Sequence, residues 1–244
     1  MKSQYSKLIL HVCFSPELVS AYANEDSIVA VIDVLRASSA ICAALHNGAE
    51  RVIPIVSVDE AKTYKKRGYI VGAERGGEIV EGFEFGNSPF SFMGECVKGK
   101  TIVLTTSNGT QAIAAAENTY KVVIASFLNL DAVCNWLSLQ TREIVLLCAG
   151  WKKKFNLEDT LLAGAIVEQL LKKHDSSQLS DSAIAARHLY LIARNDLYGF
   201  LKNSSHSKRL RRLNIDKDII YCLTPNQTNV IPVLDGHSLI KLKE

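Results

Sequence analysis

Apolar runs rich in β-branched residues recur at 7–13, 28–35, 51–56, 101–104, 121–125 and 143–148, and runs of this length read as strands buried on both faces. Between them, apolar positions return at helical spacing over 38–45, 59–66, 111–117, 132–139 and 160–173. Such alternation predicts an α/β sheet with crossover helices. Beyond Asp181 the order changes: 183–193 reads as an alanine-rich helix and 195–212 as largely helical, a helix-rich portion beginning at about 181. Strands are expected again at 218–223, 230–234 and 238–242, with 226–229 as a turn. Pro232 predicts that the middle one lies at a sheet edge. The short spacing of the last two predicts a hairpin, and so a mixed sheet. The stretch GAERGGEIVEGFEFGNSP at 72–89 breaks the pattern, with little periodicity and five of the chain's 14 glycines. A long functional loop over 72–92 is expected there, tied down by Phe83 and Phe85.

Composition narrows the class. With 244 residues, 48% of them hydrophobic, the chain can bury a sizeable core. Only 5 prolines and no serine- or glycine-rich tract argue against a flexible linker, so one domain over 1–244 is expected. A net charge of +3 from 28 basic and 25 acidic residues is too balanced for nucleic-acid binding. The runs at 152–154 and 208–212 read as solvated basic faces in preference to an anion-attracting rim. Six cysteines without close pairing suggest a reducing compartment. No stretch reaches the ~20 apolar residues of a membrane span, and the N-terminal apolar stretch is too short for a signal peptide. A cytoplasmic protein without a membrane partner is expected.

Three loops after predicted strands carry the chemistry, where ligands of open α/β sheets bind. VIDVLRASSA, from Val31, places Asp33 at a strand end, Arg36 beyond it and Ser38 at a helix start. Asp33 could ligate a metal, Arg36 could grip a phosphate through its planar fork, and Ser38 could donate to an anionic oxygen; an Asp33–Arg36 ion pair with a serine cap is the structural alternative. TTSNGT, from Thr105, offers hydroxyls and Gly109, which lets a ligand approach the backbone. AGWKKKFNLEDTLLAG, from Ala149, sets Glu158 and Asp159 at a helix start, where Asn156 and Asp159 also approximate a capping box. Acids and cations together point to Mg²⁺ and a phosphorylated substrate, since the ion takes one or two carboxylates and neutralises phosphoryl oxygens. The six histidines show no zinc spacing, and neither a nucleophile elbow nor a dinucleotide turn is present. Cys148, at a strand end, is a weaker candidate nucleophile.

These blocks, in this order, resemble the 2-phosphosulfolactate phosphatase family, with weaker similarity continuing to Asp218. The resemblance implies a three-layer α/β/α fold with a mostly parallel, mixed sheet. It implies Mg²⁺-dependent hydrolysis of 2-phospho-3-sulfolactate to 3-sulfolactate and phosphate, on the route to coenzyme M. Carried onto this sequence, it implies catalytic Asp33, Arg36, Glu158 and Asp159, with Asp33 and one of the acids Glu158 and Asp159 on the metal. Substrate contacts are expected from Ser38, Glu74, Arg75, Asn87, Ser88, Thr106, Asn108, Gly109 and Thr110. Trp151 and its lysines depart from the family pattern, where smaller residues are expected. Water attack and an aspartyl phosphate at Asp33 both remain open. So do another phosphorylated hydroxy acid as substrate, for a phosphatase or an isomerase, and an anion-binding protein without turnover. An apolar helix such as 183–193 could face a second copy, leaving a homo-oligomer open.

Overall fold

The computed structural model describes residues 8–174, 177–213 and 215–243; Lys7, where the first predicted strand begins, and the residues before it lie outside them. The strands are β1 (Leu8–Cys13), β2 (Ile28–Ile32), β3 (Arg51–Pro54), β4 (Ile70–Arg75), β5 (Glu78–Ile79), β6 (Thr101–Thr105), β7 (Lys121–Ala125), β8 (Ile144–Cys148), β9 (Ser177–Leu179), β10 (Pro232–Asp235) and β11 (Ser238–Lys241). The helices are α1 (Val19–Tyr22), α2 (Ala37–His46), α3 (Val58–Lys66), α4 (Gly109–Ala116), α5 (Leu130–Leu137), α6 (Leu157–Leu171), α7 (Asp181–Ala193), α8 (Leu197–Leu201), α9 (Ser205–Arg212) and α10 (Asp216–Cys222). The strands form one sheet in the order β5-β4-β6-β3-β11-β10-β7-β2-β8-β1-β9. Two parallel blocks, β4-β6-β3 and β7-β2-β8-β1-β9, are joined through the antiparallel hairpin β10–β11. This is the mostly parallel, mixed sheet of a three-layer α/β/α fold.

Alternation within the strands divides the core. Ile28, Ala30 and Ile32 of β2, with Ile144, Leu146 and Cys148 of β8, pack against α5, α6 and α7. Val29 and Val31, with Val145 and Leu147, face α2 and α4. Both strands are buried at every position, because helices cover both faces of a parallel block. Each aliphatic side chain so buried contributes about 1.5–3 kcal/mol. Helix α2 is buried from Ala37 to Leu45, as a helix with no polar face must be. Its two serines are satisfied locally: Ser38 Oγ accepts the Asp33 N–H at 2.8 Å, and Ser39 Oγ donates to the Val34 carbonyl at 3.0 Å. Where α6 crosses α7, a β-carbon on Gly164 would stand 2.1 Å from the Ala186 carbonyl oxygen. The absence of a side chain there sets how closely the two helices pack.

Three expectations are corrected. Residues 218–223 are not a strand but most of helix α10, in which Ile219, Cys222 and Leu223 are buried at helical spacing; a short apolar run does not separate the two periods. Pro232 does not mark an edge, for β10 lies between β11 and β7. It is instead the first residue of its strand, where a missing N–H is tolerated, and pairing to β7 is made by Val233 opposite Val123. The expected loop at 72–92 begins inside a strand. VGAER contains a single β-branched residue, so its period is invisible, yet Val71 pairs with Val103 and Ala73 with Thr105. The rest of that segment is irregular and anchored, the Ala73 N–H donating to the Phe85 carbonyl at 2.8 Å. The short strands β5 and β9 were not expected either. All six cysteines are free and five are buried. No described helix is long and apolar enough to cross a membrane.

Candidate active site

Asp33 is the first residue beyond β2, buried, with Oδ1 accepting the Ala37 N–H at 3.4 Å. Its other oxygen lies against the start of α4: a β-carbon on Gly109 would come within 2.7 Å of Oδ2. Glycine at that position lets the carboxylate and the helix N-terminus meet. Burial, followed by the negative charges of Glu74 and Glu158, pushes the Asp33 carboxyl up to about 6, against the opposing pull of His206.

Asp159, in the first turn of α6, is engaged by N–H donors on both oxygens. Oδ1 accepts from the Val34 N–H at 2.8 Å, and Oδ2 from the Gly150 N–H at 3.1 Å and Asn156 Nδ2 at 2.9 Å. The contacts tie the turn after β2 to the loop after β8. Burial, then the neighbouring Asp33 and Glu158 charges, raises its carboxyl well above the usual range, against the N–H donors. Glu158 is wholly buried and shares Oε1 with His206 Nδ1. Its Oε2 has no hydrogen-bond partner among the described residues.

Arg36 does not pair with Asp33. Its Nη1 donates to Asp218 of α10 and its Nη2 to the Gly77 carbonyl at 2.9 Å, with both charged residues buried. Glu74 joins two turns, accepting the Gly77 N–H and the Ser107 hydroxyl (3.2 Å) on Oε1 and the Ser107 N–H (3.1 Å) on Oε2. Thr106 and Thr110 satisfy each other at the start of α4. Asn108 Oδ1 accepts the Lys152 N–H at 3.2 Å, inside a turn where Lys152 and Lys153 both take positive φ, 49° and 64°. Such backbone conformations carry a cost and cluster at functional sites.

Five residues expected from the sequence, Asp33, Arg36, Glu74, Asn87 and Asn108, line a single polar pocket. Glu158, Asp159, Ser38 and Gly109 stand behind it through the contacts above. Arg75 turns elsewhere, donating to Val56 O at 2.8 Å and Thr105 Oγ1 at 2.9 Å, and Ser88 and the two threonines are not in the lining. Five lining residues lay outside the expected set: Leu35 and Gly77, neighbours of expected residues, and Trp151, His206 and Arg209. The His206 ring stacks on the Trp151 indole with centroids 5.6 Å apart, and Arg209 Cζ lies 3.3 Å from the indole centroid. His206 and Arg209 are three apart on α9 and therefore share a face; in sequence Arg209 sits inside the basic run 208–212 and His206 just before it. Asp218, Arg36's partner, was hidden in the misread strand. The enclosed part of the pocket, about 10 Å³, has room for about one water.

Cys148 is fully buried and its thiol is raised well above its ordinary value, chiefly by burial, which removes it as a nucleophile. Among the described residues, no three of His, Cys, Asp or Glu converge as a metal cage. The donor set instead suits an ion held by one or two carboxylates with water and phosphate completing its shell. An ion of that kind would be held by the orphaned Glu158 Oε2 and by Asp33, whereas the oxygens of Asp159 already accept N–H donors.

A family model described as 2-phosphosulpholactate phosphatase matches residues 13–237. A probable 2-phosphosulfolactate phosphatase of Thermotoga maritima is 45% identical over 204 residues, covering 84% of this chain and 87% of the relative. One of Caldanaerobacter subterraneus is 39% identical over 210 residues, with 84% and 87% covered. One of Clostridium botulinum is 34% identical over 235 residues, with 95% and 98% covered.

Proposed function

Because this chain belongs to the 2-phosphosulfolactate phosphatase family, we propose that it is a phosphoric monoester hydrolase converting 2-phospho-3-sulfolactate to 3-sulfolactate and phosphate, a step toward coenzyme M. The observation that carries the reading is the buried Asp33 carboxylate pressed against the N-terminus of α4 at Gly109, inside a pocket that also holds Arg36, His206 and Arg209. A phosphoryl group set beside Asp33 would meet the partial positive charge of that helix end. Arg36 supports it from behind, since its ion pair with Asp218 and its bond to Gly77 fix the loop's shape. Asp159 holds the turn carrying Asp33 through the Val34 N–H, so its part is positioning.

Mg²⁺ fits the free oxygens of Asp33 and Glu158; when bound it would offset their charge and that of the phosphoryl oxygens. Asp33 presents its oxygen either to phosphorus or to the attacking water. A single turnover with substrate radiolabelled in the phosphoryl group and quenched in acid separates the two, since label is trapped on the protein only if Asp33 takes the phosphoryl group before water removes it.

The test is to incubate the protein with Mg²⁺ and a panel of phosphorylated hydroxy acids, measuring both free phosphate and product identity. Phosphate and 3-sulfolactate should form from 2-phospho-3-sulfolactate, and chelation of Mg²⁺ should stop the release. Asp33→Asn should lose at least about 1,000-fold in kcat while unfolding in urea as the wild type does. An isomerised product without free phosphate would overturn the reading, as would binding without turnover.

A further inference from the structure

The arginines in and beside the pocket are not equivalent. The Arg36 fork is committed to Asp218 and the Gly77 carbonyl, and that of Arg75 to Val56, Thr105 and its own neighbour's carbonyl. Arg209 differs. Its Nε and Nη2 are buried and have no hydrogen-bond partner among the described residues. These two nitrogens form one edge of the guanidinium, presenting parallel N–H donors at the spacing of two oxygens in a carboxylate, sulfonate or phosphate. The plane is held against the Trp151 indole, with Cζ 3.3 Å from its centroid, a cation–π contact that fixes which way the edge faces. Buried donors on a charged group cost free energy unless an acceptor arrives. Two of them on one edge, in the lining of a small polar pocket, imply a missing bidentate anion.

The position of Arg209 indicates which anion. Asp33 and Arg209 both line the pocket, but different elements hold them: Asp33 lies against Gly109 at the start of α4, and Arg209, on α9, lies against Trp151 in the turn after β8. A phosphoryl group at Asp33 and Gly109 would leave the remainder of the substrate to reach this edge.

We propose that Arg209, laid flat on Trp151, is the specificity-determining residue that binds the substrate's second anionic group, restricting the enzyme to phosphate monoesters that carry a carboxylate or sulfonate beside the ester carbon. The proposal rests on the phosphatase reading above. It also accounts for Trp151, a large residue where smaller ones were expected, as the shelf for the guanidinium.

The experiment compares wild type, Arg209→Gln, Arg209→Lys and Trp151→Leu in the full chain with Mg²⁺. The substrates are 2-phospho-3-sulfolactate and isopropyl phosphate, which keeps the ester and lacks any second anion. Binding of 3-sulfolactate and of inorganic phosphate is measured separately by calorimetry. Arg209→Gln should lower kcat/KM for 2-phospho-3-sulfolactate by roughly 10- to 100-fold, the range for a lost charged hydrogen bond, and weaken 3-sulfolactate binding similarly. Its affinity for phosphate and its activity on isopropyl phosphate should change by less than about threefold. Arg209→Lys should recover only part of the loss, because it keeps the charge without the fork, and Trp151→Leu should show a smaller loss of the same pattern. Equal losses on both substrates and on phosphate binding would place Arg209 on the transferred phosphoryl group and overturn the proposal, as would unchanged 3-sulfolactate binding in Arg209→Gln. Failure of the wild type to release phosphate from any substrate would overturn the phosphatase reading instead, and the 3-sulfolactate binding comparison would still decide the role of Arg209.

Discussion

Replacing Asp218 by asparagine keeps the side chain's shape and leaves the Arg36 guanidinium buried without an anion. Breaking one side of such a pair costs about 3–5 kcal/mol, so Asp218→Asn should lower the urea midpoint by that equivalent, and the double variant Arg36→Gln with Asp218→Asn should lose less than the sum of the singles. Additive losses would show that the two do not act as a pair. The pair also marks the limit of reading residues from sequence. Asp33 stands out because a charge interrupts an apolar run, and a desolvated charge needs a reason; Arg36 follows it in the same turn, and Glu74 came only from the family resemblance. Nothing local announces which partner it finds. Arg36 meets a residue 182 positions away, and Glu158 meets His206 across 48; both partners come from a stretch whose own pattern reads as solvated helix or as strand. Arg209 was passed over as one cation among several, since its distinction is a stacking partner and not a motif.

Helix α6 carries Glu158 and Asp159 at one end and Gly164 at its crossing with α7. In an exposed helix Gly→Ala stabilises by about 1 kcal/mol. Here the added methyl would meet the backbone carbonyl of Ala186, which cannot swing aside as a side chain can. Gly164→Ala should therefore destabilise by about 1–3 kcal/mol, the usual cost of overpacking, read from urea unfolding; a more stable variant would mean that the helices are free to part. At this scale the sequence was legible wherever an element was long and periodic. Helices α2, α3, α4 and α6 and the parallel strands β2, β6, β7 and β8 lie where expected to within a few residues. The elements it hid are short or atypical: β4 with its glycine and alanine, two-residue β5, and α10, whose apolar face is too brief to show a period.

Across the whole molecule, the site is assembled from turns after β2, β4, β6 and β8 together with α9 and α10. None of these segments forms the pocket alone, so the pocket exists only in the folded chain. A ligand bound there is linked to global stability. With 3-sulfolactate or phosphate at about 100 times its dissociation constant, the free energy of unfolding should rise by about 2.7 kcal/mol, detected as an upward shift in thermal midpoint. A midpoint indifferent to both ligands would place their binding elsewhere or deny it.

The breadth of the sheet has a further effect. Its two flanks end in β5, of two residues, and β9, of three, the first paired with Glu74 and Arg75 of β4 and the second with the first three residues of β1. Long unpaired margins invite neighbouring molecules to add strands and grow into fibres. Outermost strands this short give another copy very little regular ladder to zip onto.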